Sequence, residues 1–189
     1  VTEFIDGKKA NPTIPLIDWQ NPANNSFLFT EEFRVLRSNT VDSRRPDIVC
    51  FVNGMPLVVI EAKRPDGNAK KGPTIEEGVS QNIRNQRHDE IPLLFAYSQL
   101  LLSINGYEGR YATCGTPSKF WAAWREEDIT DAQMYAIKNS SLSDSQQTAL
   151  FSHRPPQDLR WYQNLLAGGE LAITGQDRIL ISLLSPARL

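Results

Sequence analysis

Apolar positions in this chain fall mostly into short unbroken runs. The densest, Ile48 to Ala62, is interrupted only by Asn53-Gly54, and its charges stand at the ends: Asp47 before it, Glu61 and Lys63 at its close. Asn and Gly both tolerate positive φ, so the pattern predicts a hairpin over 47–63. Pro56 cannot donate to a strand ladder and belongs at the start of the second strand or at a bulge. Phe27-Leu28-Phe29 and Phe33–Arg37 read as strand pieces within an otherwise irregular 1–30 region and its sequel, with Pro12, Pro15 and Pro22 as breakers. Leu93–Tyr97 and Leu100–Ile104 are buried-type apolar runs, and Asn105-Gly106 turns into a return strand over 110–115.

Helical periods appear elsewhere. Thr74 followed by Glu77 fits a capping box, and Ile75, Val79 and Ile83 recur at i, i+4 spacing, predicting a helix over about 75–87 that faces the sheet, with Gln81 and Asn85 on another face. Segments near 128–138, 145–151, 158–167 and 177–184 read as further helices, separated by the polar run 139–145 and by Arg154-Pro155-Pro156. The fold class that emerges is α/β: a central mixed β-sheet flanked by helices over 1–125, followed by a helical C-terminal extension over 126–189.

Composition narrows this picture modestly. The 189 residues, 40% hydrophobic and 22% charged, suit a water-soluble domain with a sizeable core. The net charge of −2 means that any nucleic-acid contact rests on a local basic patch. Cys50 and Cys114 match no zinc or redox spacing, and Cys50, inside an apolar run, reads as a structural thiol. No signal peptide is visible in these residues and no apolar run reaches the ~18 residues that a membrane span needs, so a cytoplasmic location and no membrane partner are expected. The chain opens on Val1 and closes just after an amphipathic run, as a segment of a larger polypeptide would.

The charges at the hairpin's end carry the chemistry. Charged groups at the rim of an apolar sheet are costly to desolvate unless they pair or bind a cation. Residues two apart in a strand share a face, so Glu61 and Lys63 point together with Leu57 and Val59. A two-residue Asn53-Gly54 loop pairs Val52 with Met55 and leaves Asp47 across from Ile60, on the wrong face for Glu61. A three-residue loop, a bulge near Pro56, or an Asp47 beyond the ladder and turned inward would bring the two carboxylates together. Converging carboxylates favour Mg2+, or Mn2+, over zinc. Such an ion activates water and neutralises charge on a phosphodiester, and Lys63 would orient that water. On residue types and spacing alone, a surface salt bridge is the plainer reading of Glu61 and Lys63, since Glu-x-Lys is common at strand ends.

The residues Arg45-Pro46-Asp47-Ile48-Val49, continued by Phe51–Lys63 with its Glu61-Ala62-Lys63 ending, resemble the PD-(D/E)xK nuclease superfamily. More narrowly, the chain resembles the N-terminal nuclease region of the R (HsdR) subunit of type I restriction-modification systems. Leu16–Trp19, Asn25–Phe27, Pro92–Phe95, Ile104–Gly106 and Gly115-Thr116 extend the match over roughly 1–125. The resemblance implies a restriction-endonuclease-like core that cleaves double-stranded DNA with Mg2+. Asp47, Glu61 and the Ala62 backbone carbonyl would be metal ligands, and Lys63 the catalytic lysine. It also implies a Gln-x-x-x-Tyr helix motif; Gln81 fits its first position, whereas Asn85 stands at the tyrosine. Family members carry a further glutamate on a helix upstream of Val1; Glu31 and Glu32, in a strand-like setting, are poor substitutes. The expected partners are the methyltransferase (M) and specificity (S) subunits, in a bacterial or archaeal cell, with ATP used only through a motor domain outside this chain.

Arg44, Arg45, Arg64, Lys70, Lys71 and Arg84 cluster around the motif and are candidate DNA contacts; the same charges also suit a solvated surface. His88 and His153 lie in polar contexts and read as surface residues. Ser80 lacks a Gly-x-Ser-x-Gly frame, and 67–71 is no P-loop. Two alternatives stand beside the nuclease: a catalytically inactive DNA-binding or assembly module of the same complex, and a repair nuclease of the same superfamily.

Overall fold

The Asn53-Gly54 turn forms as its residues dictate, with φ of 49° and 82°. It joins two antiparallel strands, Ile48–Val52 and Met55–Ala62, at the centre of a five-stranded sheet. The computed structural model describes residues 3–11, 13, 15–39, 41–65, 74–123 and 129–185. In chain order the strands are β1 (Glu3–Ile5), β2 (Lys8–Ala10), β3 (Phe27–Glu31), β4 (Val35–Leu36), β5 (Ser43–Arg44), β6 (Ile48–Val52), β7 (Met55–Ala62), β8 (Leu100–Ile104) and β9 (Gly109–Ala112). The helices are α1 (Ile75–Asn85), α2 (Asp131–Lys138), α3 (Asp144–Phe151), α4 (Pro156–Ala167) and α5 (Gly175–Leu183). The main sheet runs β3-β6-β7-β8-β9 and is antiparallel except for the β7–β8 pair, which is parallel. A parallel neighbour needs a crossover, and α1 lies in it. The predicted mixed α/β architecture is therefore present, with mostly antiparallel pairing.

Val52 pairs with Met55 and Phe51 with Pro56, but Cys50 pairs with Val58. β7 thus carries one extra residue, Leu57, beside the turn. Such a bulge re-aims side chains locally. Leu57 and Val58 both pack into the cluster on one face, with Val52, Ile60, Leu102, Ile104 and Ile179 of α5. Val59 lies on the other face, with Val49, Leu101 and Val79 of α1. The sequence pattern put Leu57 on the face of Val59 and Glu61; the bulge moves it to the opposite one.

Helix α1 begins where its cap predicts, the Thr74 hydroxyl accepting the Glu77 N–H at 3.4 Å. It ends at Asn85, two residues before the predicted boundary, and buries Ile75, Gly78 and Val79 toward the sheet. The approach is close because residue 78 is glycine. A Cβ there would stand 2.2 Å from Ser103 Oγ and 3.3 Å from Glu61 Cβ.

The C-terminal helices match the predicted segments within two or three residues. Thr130, Ser143 and Thr174 cap α2, α3 and α5 with full capping boxes, and Pro156 opens α4. α5 lies on the sheet, with Ile179 buried against the position of Gly109. Lys138–Asp177 and Arg178–Asp131 ion pairs tie α2 to α5.

Two local readings change. The 93–97 run, read as a buried apolar stretch, is a 3₁₀ turn over Leu94–Ala96; it buries Leu94 and Phe95 and leaves Leu93 and Tyr97 exposed. The N-terminal region contains the small hairpin β1–β2, turned by Asp6-Gly7 at positive φ, an Asp-Gly signal of the same kind as Asn53-Gly54. Trp121 is buried in the core, Phe120 is exposed, and both histidines are exposed. Among the described residues, no helix is long and apolar enough to cross a membrane.

Candidate active site

Past the bulge, β6 and β7 run in register from Cys50–Val58 to Ile48–Ile60. The next residues outward are Asp47 and Glu61. The odd residue required to bring them to one side is present as a bulge one position beyond Pro56. Asp47 lies just ahead of its strand, and its Oδ2 accepts the Ala62 N–H at 2.7 Å. That bond anchors the carboxylate to the neighbouring strand's backbone. Lys63 follows; its N–H donates to the Ile104 carbonyl. Its ammonium lies 3.6 Å from Asp47 Oδ2 and 3.4 Å from Glu61 Oε2.

Glu61 is only 4% exposed. Burial, and then the negative charge of Asp47, push its carboxyl up to about 7, while Lys63 pulls the other way. A buried carboxylate beside a second one has an unmet demand for positive charge, which a single lysine shared between them meets only in part.

These three side chains open onto a polar cavity of about 290 Å3, also lined by Glu32, Ser43, Arg44, Arg45, Gln81, Arg84 and Asn85. Gln81 comes from the middle of α1. Its Oε1 is buried and accepts no hydrogen bond, so a neutral oxygen donor at this cavity is left without a partner. The donor set is hard oxygen throughout: two carboxylates and one amide oxygen. That chemistry fits Mg2+ or Mn2+, which bind through one or two carboxylates and otherwise keep water. Among the described residues, no group of three or more His, Cys, Asp or Glu side chains stands close enough to hold a metal by itself.

Arg44, Arg45 and Arg84 are brought to the cavity together with the motif residues. Arg44 is bonded at both of its donating nitrogens to Glu90, at 2.6 and 2.7 Å. This buried glutamate, also paired with Arg37, is held below the usual carboxylate range by the Arg44 hydrogen bond. Arg64 is exposed and lines a different depression, beside Thr74 and Glu108. Lys70 and Lys71 lie outside the described residues. Glu32 leaves the end of β3 at φ 50° and reaches the cavity wall, where it faces Arg45 at 3.5 Å. The strand-like sequence around it gives no hint of that turn. Neither Glu90 nor Ser43 carries a local signal of its place.

Residues 1–120 match the family model described as the type I restriction enzyme R protein N terminus (HSDR_N). The chain belongs to this family. Its relatives within the type I restriction enzymes include the HindI endonuclease subunit of Haemophilus influenzae, 28% identical over 83% of this chain and 14% of the relative. The EcoprrI endonuclease subunit of Escherichia coli is 28% identical over 78% of the chain and 50% of the relative. The SauCOLORF180P endonuclease subunit of Staphylococcus aureus is 31% identical over 52% of the chain and 10% of the relative. The chain thus spans at most about half the length of these R-protein relatives, and the family match lies over the sheet, α1 and the cavity.

Proposed function

We propose that this chain is the metal-dependent endonuclease domain of a type I restriction enzyme R subunit, built as a PD-(D/E)xK core and hydrolysing phosphodiester bonds of double-stranded DNA. The observation that carries the reading is the convergence of Asp47 and Glu61 on Lys63 through the β7 bulge. The family match and the relatives' names support it.

In this reading Asp47, Glu61 and the Ala62 carbonyl hold Mg2+, or Mn2+, with Gln81 Oε1 as a further oxygen partner directly or through water. The bound ion would supply charge neutralisation at the phosphate and acidify a water molecule. The chain's own residues do the rest. Asp47 is fixed by the Ala62 N–H. The buried Glu61 presents a carboxylate that gains from a cation at neutral pH. Lys63, released from neutralising the two acids, orients the attacking water and stabilises charge developing on the phosphate. Arg45 and Arg84 line the approach for DNA phosphates. Sequence choice belongs to the S subunit, assembly involves the M and S subunits, and ATP is used by a motor domain elsewhere in the full-length subunit.

Calorimetric titration of Mn2+ into the chain tests the site: binding to the wild type and its loss in Asp47→Ala support the reading, and binding that survives Asp47→Ala and Glu61→Gln contradicts it. One observation favours the second reading, a non-catalytic DNA-binding or assembly module: among the described residues two acidic side chains, rather than three, meet at Lys63. Lys63→Ala separates the two. A nuclease loses cleavage; a module keeps its affinity and has no cleavage to lose.

A further inference from the structure

Among the described residues four cationic side chains line the Asp47–Glu61 cavity, and they are not equivalent. Arg44 is taken by Glu90 through two charge-assisted hydrogen bonds. Arg45 faces Glu32. Lys63 stands between Asp47 and Glu61. Arg84 alone of the four makes no ion pair within 4 Å among the described residues. The buried Glu90 feels its charge but gives both oxygens to Arg44.

The Arg84 guanidinium is nevertheless held. Its Nε and Nη2 donate to one acceptor, Asn85 Oδ1, at 3.3 and 3.2 Å. Asn85 is 2% exposed, and its backbone carbonyl accepts the Ile91 N–H at 3.1 Å, so the acceptor sits on a fixed frame. Two of the five guanidinium N–H groups are used in this way, and three remain. Because the acceptor is a neutral amide, it orients the cation without cancelling its charge. Arg84 also lies one helical turn beyond Gln81, on the same side of α1.

We infer that Arg84 receives a backbone phosphate of the bound DNA strand at this cavity, and that Asn85 is the positioning residue that aims it. The assignment rests on the nuclease reading and deepens it. It singles out one arginine from a basic cluster, and it gives the buried Asn85 a function that helix packing does not require. A carboxylate at position 85 would hold the guanidinium more tightly and spend its charge; an apolar residue would leave it to swing.

The test is fluorescence anisotropy with a short fluorescein-labelled DNA duplex in Ca2+, across a series of KCl concentrations, using the chain as it stands. Arg84→Ala is expected to weaken binding about tenfold and to reduce the slope of log K against log[KCl] by about one. Arg84→Lys keeps the slope and loses affinity severalfold, because the fork is gone and the charge is not. Asn85→Ala also keeps the slope with a severalfold loss, whereas Asn85→Asp lowers the slope as Arg84→Ala does. A residue that merely packs the helix end would shift the melting temperature and leave the salt slope alone in every variant. Arg84→Ala and Arg84→Lys indistinguishable from wild type in affinity and slope would overturn this assignment while leaving the nuclease reading intact. A wild-type chain with no salt-dependent affinity for the duplex would overturn both.

Discussion

Asp47 and Glu61 stand on one side of the sheet, 3.6 and 3.4 Å from the same ammonium, that of Lys63. They meet because β7 holds one residue more than β6 beside the Asn53-Gly54 turn. Without Leu57 as the extra residue, side-chain alternation would send the two carboxylates to opposite faces. The bulge is therefore part of the site's construction, although it lies at the far end of the hairpin.

Deleting Leu57 should restore an even register and separate Asp47 from Glu61. The expected outcome is a chain that no longer binds Mn2+ in calorimetry. Because the deletion also removes a buried side chain, Leu57→Ala is the control: it should lower stability by about 2–4 kcal/mol and keep Mn2+ binding.

Glu61 makes folding stability depend on pH. Its folded carboxyl titrates near 7 against an ordinary value of 4.5. Between those values the folded chain keeps a proton that the unfolded chain has lost, so stability falls as pH rises through this window. The total is on the order of 3 kcal/mol. Urea denaturation without divalent ions should show this decline, and Glu61→Gln should flatten it and be more stable than wild type at pH 8. Added Mn2+ should stabilise the wild type most above pH 7, where it no longer competes with that proton, and should do little for Glu61→Gln.

Gly78 lets α1 approach Glu61. In Gly78→Ala the new Cβ meets Ser103 Oγ, whose hydroxyl is buried and donates to the Ile75 carbonyl. Overpacking of this kind costs about 1–3 kcal/mol, against roughly 1 kcal/mol gained in helix propensity. With the new Cβ this close to Ser103 Oγ the cost lies at the upper end of that range, and a net loss of about 2 kcal/mol is expected in urea denaturation. Ser103→Ala in the same chain should recover part of it, because the hydroxyl is the closest contact. A Gly78→Ala chain as stable as the wild type would show that the approach is not tight.

Arg44 holds the segment before Asp47 to the loop that follows α1 through Glu90. Arg44→Ala leaves a buried carboxylate with Arg37 as its remaining close cation. Stability should fall by about 1–2 kcal/mol, less than for a fully abandoned buried charge because Arg37 stays. The salt slope of DNA binding should hold, in contrast to Arg84→Ala. Parallel melts and anisotropy titrations separate the two arginines.

Much of this site can be read from residues close together in sequence. Asn53-Gly54 specifies the turn, and the need for Asp47 and Glu61 to share a face demands an odd residue in the hairpin. Thr74, Ile75 and Val79 announce α1, and the segments near 128–138, 145–151, 158–167 and 177–184 read as helices, although that reading does not single out the caps of α2, α3 and α5. What escapes has no local signature. The Arg44–Glu90 pair joins residues 46 apart, and nothing near either one marks the other. Glu32 reaches the cavity through a positive φ that a glutamate rarely adopts. Leu57 changes face because the bulge falls at that residue and not at its neighbour, a choice that alternation does not fix. Leu93–Tyr97 has a strand's hydrophobicity and a turn's geometry because only Leu94 and Phe95 find room in the core.

The most direct test of the central claim is plasmid cleavage by the full-length subunit reconstituted with its M and S partners, Mg2+ and ATP, with wild type compared to Asp47→Ala and Lys63→Ala. Cleavage abolished in both variants with ATP hydrolysis retained is the predicted result. Cleavage by both variants at the wild-type rate would contradict the account and remove Asp47, Glu61 and Lys63 from the chemistry.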